Sequence, residues 1–288
     1  APQRWTPMPP PAQAWAHSCC SRRKLAATLA DETITAIEAD VQMGALVVGS
    51  SAVDDAVPVM AHPPSRRSDL SFEAFLEACL QDGRRHLKLD FKDLAGALQC
   101  LPVLAAVRPA LVANGQAVWL NADVLPGPGC RMLPSRVPAE EFLAAAAQHC
   151  PGAPVSLGWS VNPLARSTYS EADCKTMAVL CEAHLARSGA EGNSIVFAAA
   201  ARLAERGLGP LVALLQKIAG SQLLLWTGTW EPPLRRTTLA RLEAGLKAAG
   251  MGERCGYDCK VLDAPTRASN CLGIMHRLRA RASELLPV

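Results

Sequence analysis

The 288-residue chain is poor in charge and in aromatic rings: 19% of its residues are charged and 5% are Phe, Trp or Tyr. Its formal net charge of +3 is small for the length. That argues against a dedicated electrostatic nucleic-acid binder and leaves open only a local basic groove. No run of about 18 consecutive apolar residues occurs, so no membrane-spanning segment or stable membrane insertion is expected. The 11 cysteines are odd in number and show no zinc-finger spacing. Cys19-Cys20, Cys174/Cys181 and Cys255/Cys259 are poor disulfide candidates and are read as small core residues. No Asn-x-Ser/Thr acceptor is present, since Asn193 is followed by Ser194 and Ile195. Both absences lean towards a reducing, intracellular setting, cytoplasmic or organellar. Residues 1–13 are Pro-rich and carry no signal-peptide pattern, so a flexible arm is expected there. No Gly-rich phosphate loop follows the first predicted strand, which argues against an open dinucleotide-binding sheet.

What is present is a rhythm. Strands are predicted over 14–17, 33–41, 86–92, 117–124, 155–159, 194–198, 222–227 and 255–261. Helical spacing is predicted over 21–31, 71–80, 94–112, 138–149, 170–188, 209–219 and 236–249, and a terminal helix with a basic face over 266–286. Pro102 is expected to limit the regularity of the third helix. An apolar patch over 45–48 reads as loop, and the run 57–61, ending at His62-Pro63-Pro64, reads as an excursion after the second strand. Eight strands alternating with helices imply parallel βαβ units, and residues 14 to 262 match the roughly 250 residues of a (β/α)8 TIM-type barrel. The expected organisation is the arm, then one α/β barrel with its terminal helix over 14–288.

Residues two apart in a strand share a face. Glu38 and Asp40 therefore stand together on the second strand, while Ile37, Ala39 and Val41 face the other way. The third strand places Lys88, Asp90 and Lys92 on one face, and the fourth does the same with Asn121 and Asp123. His17 closes the first strand and His62 the excursion; Trp159 and Trp226 end the fifth and seventh, and Tyr257-Asp258 the eighth. Each has a bland reading: an exposed polar face, an ion-pair ladder, a turn-shaping histidine, a core tryptophan. Barrels, however, carry their active groups at the C-terminal ends of strands. Carboxylates gathered there are costly unless cations neutralise them. Lys88 and Lys92 supply part of that charge, and the remaining oxygen donors suit one hard divalent cation, Mg²⁺ or Ca²⁺ with Mn²⁺ as an alternative. Two histidines beside such a site suit general acid and base roles, with the cation polarising a phosphoryl oxygen.

The blocks Trp15-Ala-His17, Ile37-Glu38-Ala-Asp40-Val41, Pro58-Val-Met-Ala-His62-Pro63-Pro64, Lys88-Leu-Asp90-Phe-Lys92 and Trp119-Leu-Asn121-Ala-Asp123 follow one another in the order of the menorin family. Ser156-Leu-Gly158-Trp159 and Leu225-Trp226-Thr227-Gly228 continue the resemblance, which covers about residues 15 to 260 and looks most like the single-domain, anchor-free branch. That family is similar to the PLC-like and glycerophosphodiester phosphodiesterases, which are (β/α)8 barrels with a metal and two catalytic histidines. The resemblance implies His17 and His62 as the histidines, Glu38, Asp40 and Asp90 as the metal carboxylates, and Lys92 as a phosphate-facing lysine. Asp90 stands where the wider superfamily usually has Glu. The family pattern after the sixth strand, Pro-x-Arg, is absent here: the run is Phe197-Ala198-Ala199-Ala200, with Arg202 the nearest arginine, and Ala16 replaces a usual aromatic. The implied activity is metal-dependent hydrolysis of a phosphodiester with a neighbouring hydroxyl, glycerophosphodiester-like or RNA. Lys88, Asn121 and Asp123 are added as substrate contacts, with Trp159, Trp226 and Trp230 as surfaces on which bases could stack. A nuclease acting on RNA or DNA ends is one alternative, and a non-catalytic binding or adhesion module on a barrel scaffold is another.

Overall fold

The computed structural model describes residues 5–6, 13–49, 51–52, 55–189, 191, 194–228 and 231–262. Eight strands run in parallel, each paired with the next in chain order: β1 (Trp15–Ala16), β2 (Ala36–Val48), β3 (His86–Phe91), β4 (Val118–Pro126), β5 (Val155–Ser160), β6 (Ile195–Ala200), β7 (Gln222–Trp226) and β8 (Cys255–Asp258). Between them stand helices α1 (Arg22–Ala30), α2 (Phe72–Asp82), α3 (Leu94–Ala113), α4 (Ala139–His149), α5 (Glu171–Ser188), α6 (Ala201–Ala204), α7 (Gly209–Lys217) and α8 (Arg236–Ala248). The sheet is nearly closed into a (β/α)8 barrel, and the first and last strands meet through His17 and Asp258. Several helices start as their sequences demand. Ser21, Ser71 and Asp93 each accept a backbone N–H three residues on, and Ser170 with Asp173 forms a capping box.

The pleat sorts side chains into two apolar bodies. Outward residues such as Ile37, Val41, Leu89, Leu120, Phe197 and Leu225 join the helices in the main core. Inward residues Trp119, Val196 and Leu224, with Trp15 against them, fill the floor of the barrel. Trp15 and Trp119 are in ring contact at 4.8 Å.

Four details differ from the sequence expectation. β2 runs on to Val48, so the patch over 45–48 is strand. Residues Val57–Met60 return antiparallel beside Val41–Gly44, and the 45–48 stretch beyond pairs with Arg67–Ser68 and Ser51–Ala52. Gly44 is required there, because a Cβ would sit 2.2 Å from the Arg66 carbonyl. α3 is one continuous helix despite Pro102 and Pro109. Both prolines lie on its exposed side, seven residues apart, where water can satisfy the carbonyls they leave free. The last predicted strand is split: β8 stops at Asp258, and Val261–Leu262 pairs instead with Leu234–Arg235. α6, with 4 residues, is too short to give a periodic signal in the sequence. The terminal helix expected over 266–286 and Trp230 lie outside the described residues, as does the arm over 1–13 apart from Trp5, Thr6 and Gln13. Trp5 is buried, with the Arg108 guanidinium 5.9 Å from its ring centre. α3 is the one helix among the described residues long and apolar enough to cross a membrane by length and composition. Its Ala97, Cys100, Leu101 and Leu104 are packed into the core.

Candidate active site

The inward faces of β2, β3 and β4 carry the polar residues singled out in the sequence. Register aligns Glu38 with Lys88, and Asp40 with Asp90 and then Asn121, so the charged groups form rows across three neighbouring strands. A cavity of about 120 Å³ opens at the C-terminal ends of the strands. Its walls include His17, Glu38, Asp40, His62, Lys88, Asp90, Lys92, Asn121, Asp123 and Trp226. Trp159 is not among them. It follows Gly158, so the pleat turns it outward, where it is buried against Tyr169 at 5.1 Å between ring centres. The stacking role read for Trp159 is therefore replaced by a core role.

One donor oxygen each from Glu38, Asp40 and Asp90 lies within 4.8 Å of the other two. The Lys92 ammonium sits among them, 3.0 Å from Asp40 and 2.7 Å from Asp90. The other Asp90 oxygen, Oδ1, is buried and has no hydrogen-bond partner among the described residues. The turn after β1 feeds the same cluster. The Ser18 N–H donates to Glu38 Oε2 at 2.5 Å, and the Ser18 hydroxyl donates to Asp40 Oδ2 at 3.3 Å. Ser18 does this from a left-handed backbone, φ 53°, which non-glycine residues rarely adopt. The Cys20 thiol donates to the same Asp40 oxygen at 3.3 Å.

The charges respond to this crowding. Burial, reinforced by Asp40, pushes the Glu38 carboxyl up to about 7. Burial also pushes Asp123 up to about 7, against the pull of Lys92. Burial would raise Asp40, but Lys92 and His62 outweigh it and hold the carboxyl low. For Lys92, burial opposes the charge and the carboxylates of Asp90 and Asp40 more than restore it, so the ammonium is held well above the usual lysine range.

The two histidines face the cavity from different supports. His17 Nδ1 lies 2.7 Å from Asp258 Oδ2 and 3.4 Å from Glu38 Oε2. Burial would lower its pKa, but Glu38 and Asp258 override that and raise it to about 9. A carboxylate can only accept, so the Nδ1 proton belongs on His17 and Nε2 is left for the cavity. His62 Nδ1 is 2.5 Å from the Pro63 carbonyl, which likewise places the proton on Nδ1 and leaves Nε2 as acceptor. Asp258, at the end of the eighth strand, is the functional residue that the sequence alone leaves without a role. Its signal was that position; its partner is 241 residues away in the chain.

The far wall is equally specific. The Ser156 hydroxyl donates to Asn121 Oδ1 at 2.6 Å, which leaves the Asn121 amide N–H groups free to donate. Asp123 fits because residue 158 is glycine: a Cβ there would lie 2.3 Å from Asp123 Oδ1.

Residues 12–248 match the family model described as the Menorin N-terminal domain. The chain belongs to the menorin family. Among curated relatives, human Protein FAM151B is 30% identical over 195 residues, 67% of this chain and 64% of that protein. The chain thus spans a little under two thirds of that relative's length. Among solved structures, a glycerophosphodiester phosphodiesterase from Parabacteroides distasonis aligns with 96% of this chain and 100% of its own, at TM-score 0.42 and 11% identity. Fructose-bisphosphate aldolase from Plasmodium falciparum aligns with 76% of this chain and 67% of its own, at TM-score 0.34 and 11% identity. Neither likeness is close enough to carry an argument about activity.

In this menorin-family barrel no arginine lines the cavity among the described residues. Arg202 lies 3.2 Å from Glu231 and donates to the Pro232 and Pro233 carbonyls, outside the cavity wall. Glu231 accepts in turn from the Gly228 N–H at 2.6 Å, so Arg202 braces the loop after β7.

Proposed function

We propose that the cavity is the active site of a divalent-cation-dependent phosphodiesterase, with Glu38, Asp40 and Asp90 holding the cation. The observation that carries this reading is their convergence beside two histidines, each with Nδ1 engaged and Nε2 left for chemistry. The all-oxygen donor set and the unpartnered Asp90 oxygen fit a hard cation, Mg²⁺, Ca²⁺ or Mn²⁺. When bound, the cation would polarise a phosphoryl oxygen.

The protein's own residues would do the rest. A hydroxyl beside the phosphodiester gives its proton to His62 Nε2 and attacks phosphorus. The leaving oxygen takes a proton from His17 Nε2, whose imidazolium is steadied by Asp258. The products of this step are a cyclic phosphate and an alcohol. Lys88, Lys92 and the Asn121 amide line the cavity where they can hold non-bridging oxygens, and Trp226 lines it as well. Glycerophosphodiesters and RNA both offer the required neighbouring hydroxyl.

The experiment is a turnover screen with Mg²⁺, Mn²⁺ and Ca²⁺ against glycerophosphodiesters, cyclic nucleotides, and short RNA and DNA oligomers. Cation-dependent product is expected, and its absence with every substrate rejects the reading. A second reading, a binding module without turnover, has one observation in its favour. Lys92 already neutralises Asp40 and Asp90 from within the cluster, as a cation would. Calorimetric titration separates the two, since a pure module needs no divalent ion.

A further inference from the structure

Large hydrophobic residues exposed on the surface are few among the described residues, and three of them share one place. Met132 is 94% exposed, Leu133 59% and Leu164 68%. Met132 and Leu133 lie in the loop 127–138 after β4, and Leu164 in the loop 161–170 after β5. These loops leave the same strand ends that carry Asp123 and Gly158. They are joined to each other: the Asn162 N–H donates to the Pro128 carbonyl, and a Cβ on Gly129 would meet Asn162 and Ala165 at 2.8 Å. A short internal bond holds the first loop in shape, from the Leu133 N–H to the Cys130 carbonyl.

The charge of the same loops has one sign. Neither stretch contains Asp or Glu, and each contributes an exposed arginine, Arg136 and Arg166. Neither arginine makes an ion pair among the described residues, whereas Arg131 is taken up by Asp173. Apolar tips flanked by unpaired cations, with no acid between them, are what an anionic lipid surface recognises. A single-stranded nucleic acid would instead need exposed aromatic platforms. The only aromatic ring in the two loops, Tyr169, is buried.

We propose that the β4 and β5 loops form an interfacial docking surface for anionic membranes, with Met132, Leu133 and Leu164 entering the headgroup region and Arg136 and Arg166 facing lipid phosphates. The surface lies on the same side of the barrel as the cavity. Docking would therefore bring lipid-borne phosphodiesters to the mouth, a use that rests on the phosphodiesterase reading. The docking itself does not need turnover.

The test is co-sedimentation of the full chain with phosphatidylcholine vesicles, with and without phosphatidylserine. Binding is expected only with the anionic lipid, and it should weaken as salt is raised. M132D/L133D/L164S and R136E/R166E are each expected to lower vesicle binding on the order of tenfold or more. The melting curve, and turnover of any soluble substrate, should not change. In L133W the new indole emission should shift to the blue on adding anionic vesicles. H17A should bind vesicles like the parent, which separates failure of docking from failure of catalysis. Absence of vesicle binding by the parent, binding unaffected by both loop variants, or loop-dependent binding of RNA or a protein in place of vesicles would each overturn the proposal.

Discussion

The inside of this barrel has two halves built on the same strands. Below, Trp15, Trp119, Val196 and Leu224 form a dry floor. Above, two or four residues further along β4, Asn121 and Asp123 stand in a charged mouth with Glu38, Asp40, Asp90 and two lysines. The pleat delivers both, since Trp119, Asn121 and Asp123 share one face of one strand. The floor is held by apolar packing and ring contact and carries no charge, although the Trp15 and Trp119 indole N–H groups are buried there without a partner among the described residues. The mouth is stable only through a network of pairings, and it leaves one buried oxygen of Asp90 without a partner among the described residues. The floor thus reads as scaffold and the mouth as a site held ready at the scaffold's expense.

The contrast breaks most sharply at the histidines. His17→Ala and His62→Ala should each lower turnover by about 10²–10⁴-fold while the barrel still folds, as circular dichroism would report. Unchanged kinetics in either variant would remove the acid/base assignment. On the floor the effect should invert. Trp119→Ala should cost about 3–5 kcal/mol in urea unfolding through the cavity it leaves. Finding Trp119→Ala as stable as the parent would contradict the floor's structural role.

Smaller effects sharpen the boundary between the halves. Gly158→Ala forces a methyl against the Asp123 carboxylate and should cost about 1–3 kcal/mol. The double variant Gly158→Ala/Asp123→Ala should recover much of that loss, and equal losses in single and double variants would refute the steric explanation. Asp258→Asn keeps an acceptor for His17 but removes the charge, so kcat should fall on the order of tenfold with KM little changed.

The last prediction concerns pH. Glu38 and Asp123 rise from ordinary values of 4.5 and 3.8 to about 7 in the fold. Their folded forms hold protons more tightly than the unfolded chain does. Their contribution to stability is therefore full below about pH 4 and is lost as pH rises through 7. In chelator, Asp123→Asn should flatten the fall in melting temperature across that window. Divalent-ion affinity should climb through the same window, as Glu38 gives up its proton. A pH-independent affinity would place the ion elsewhere.

Much of this was readable in the chain. Alternation alone marked Glu38 and Asp40, Lys88 to Lys92, and Asn121 and Asp123 as shared faces, because a strand's period of two is local geometry. The eight-strand order followed from the βαβ rhythm for the same reason. What alternation could not supply was which face turns inward. Trp159 went to the core because its neighbour Gly158 had to face Asp123, a contact between two strands. The extension of β2 to Val48 likewise depended on three partner segments folding beside it, Val57–Met60, Arg67–Ser68 and Ser51–Ala52. Local pattern thus determined the strands and gathered the chemistry into rows. Only the tertiary structure decided that His17 finds Asp258 across the barrel's seam, that Ser18 takes a left-handed turn to reach Glu38, and that Lys92 lies between Asp40 and Asp90. The Ser18 and Lys92 contacts need neighbouring strands to pair, and the His17–Asp258 contact, between residues 241 apart, exists only once the sheet has curled round on itself.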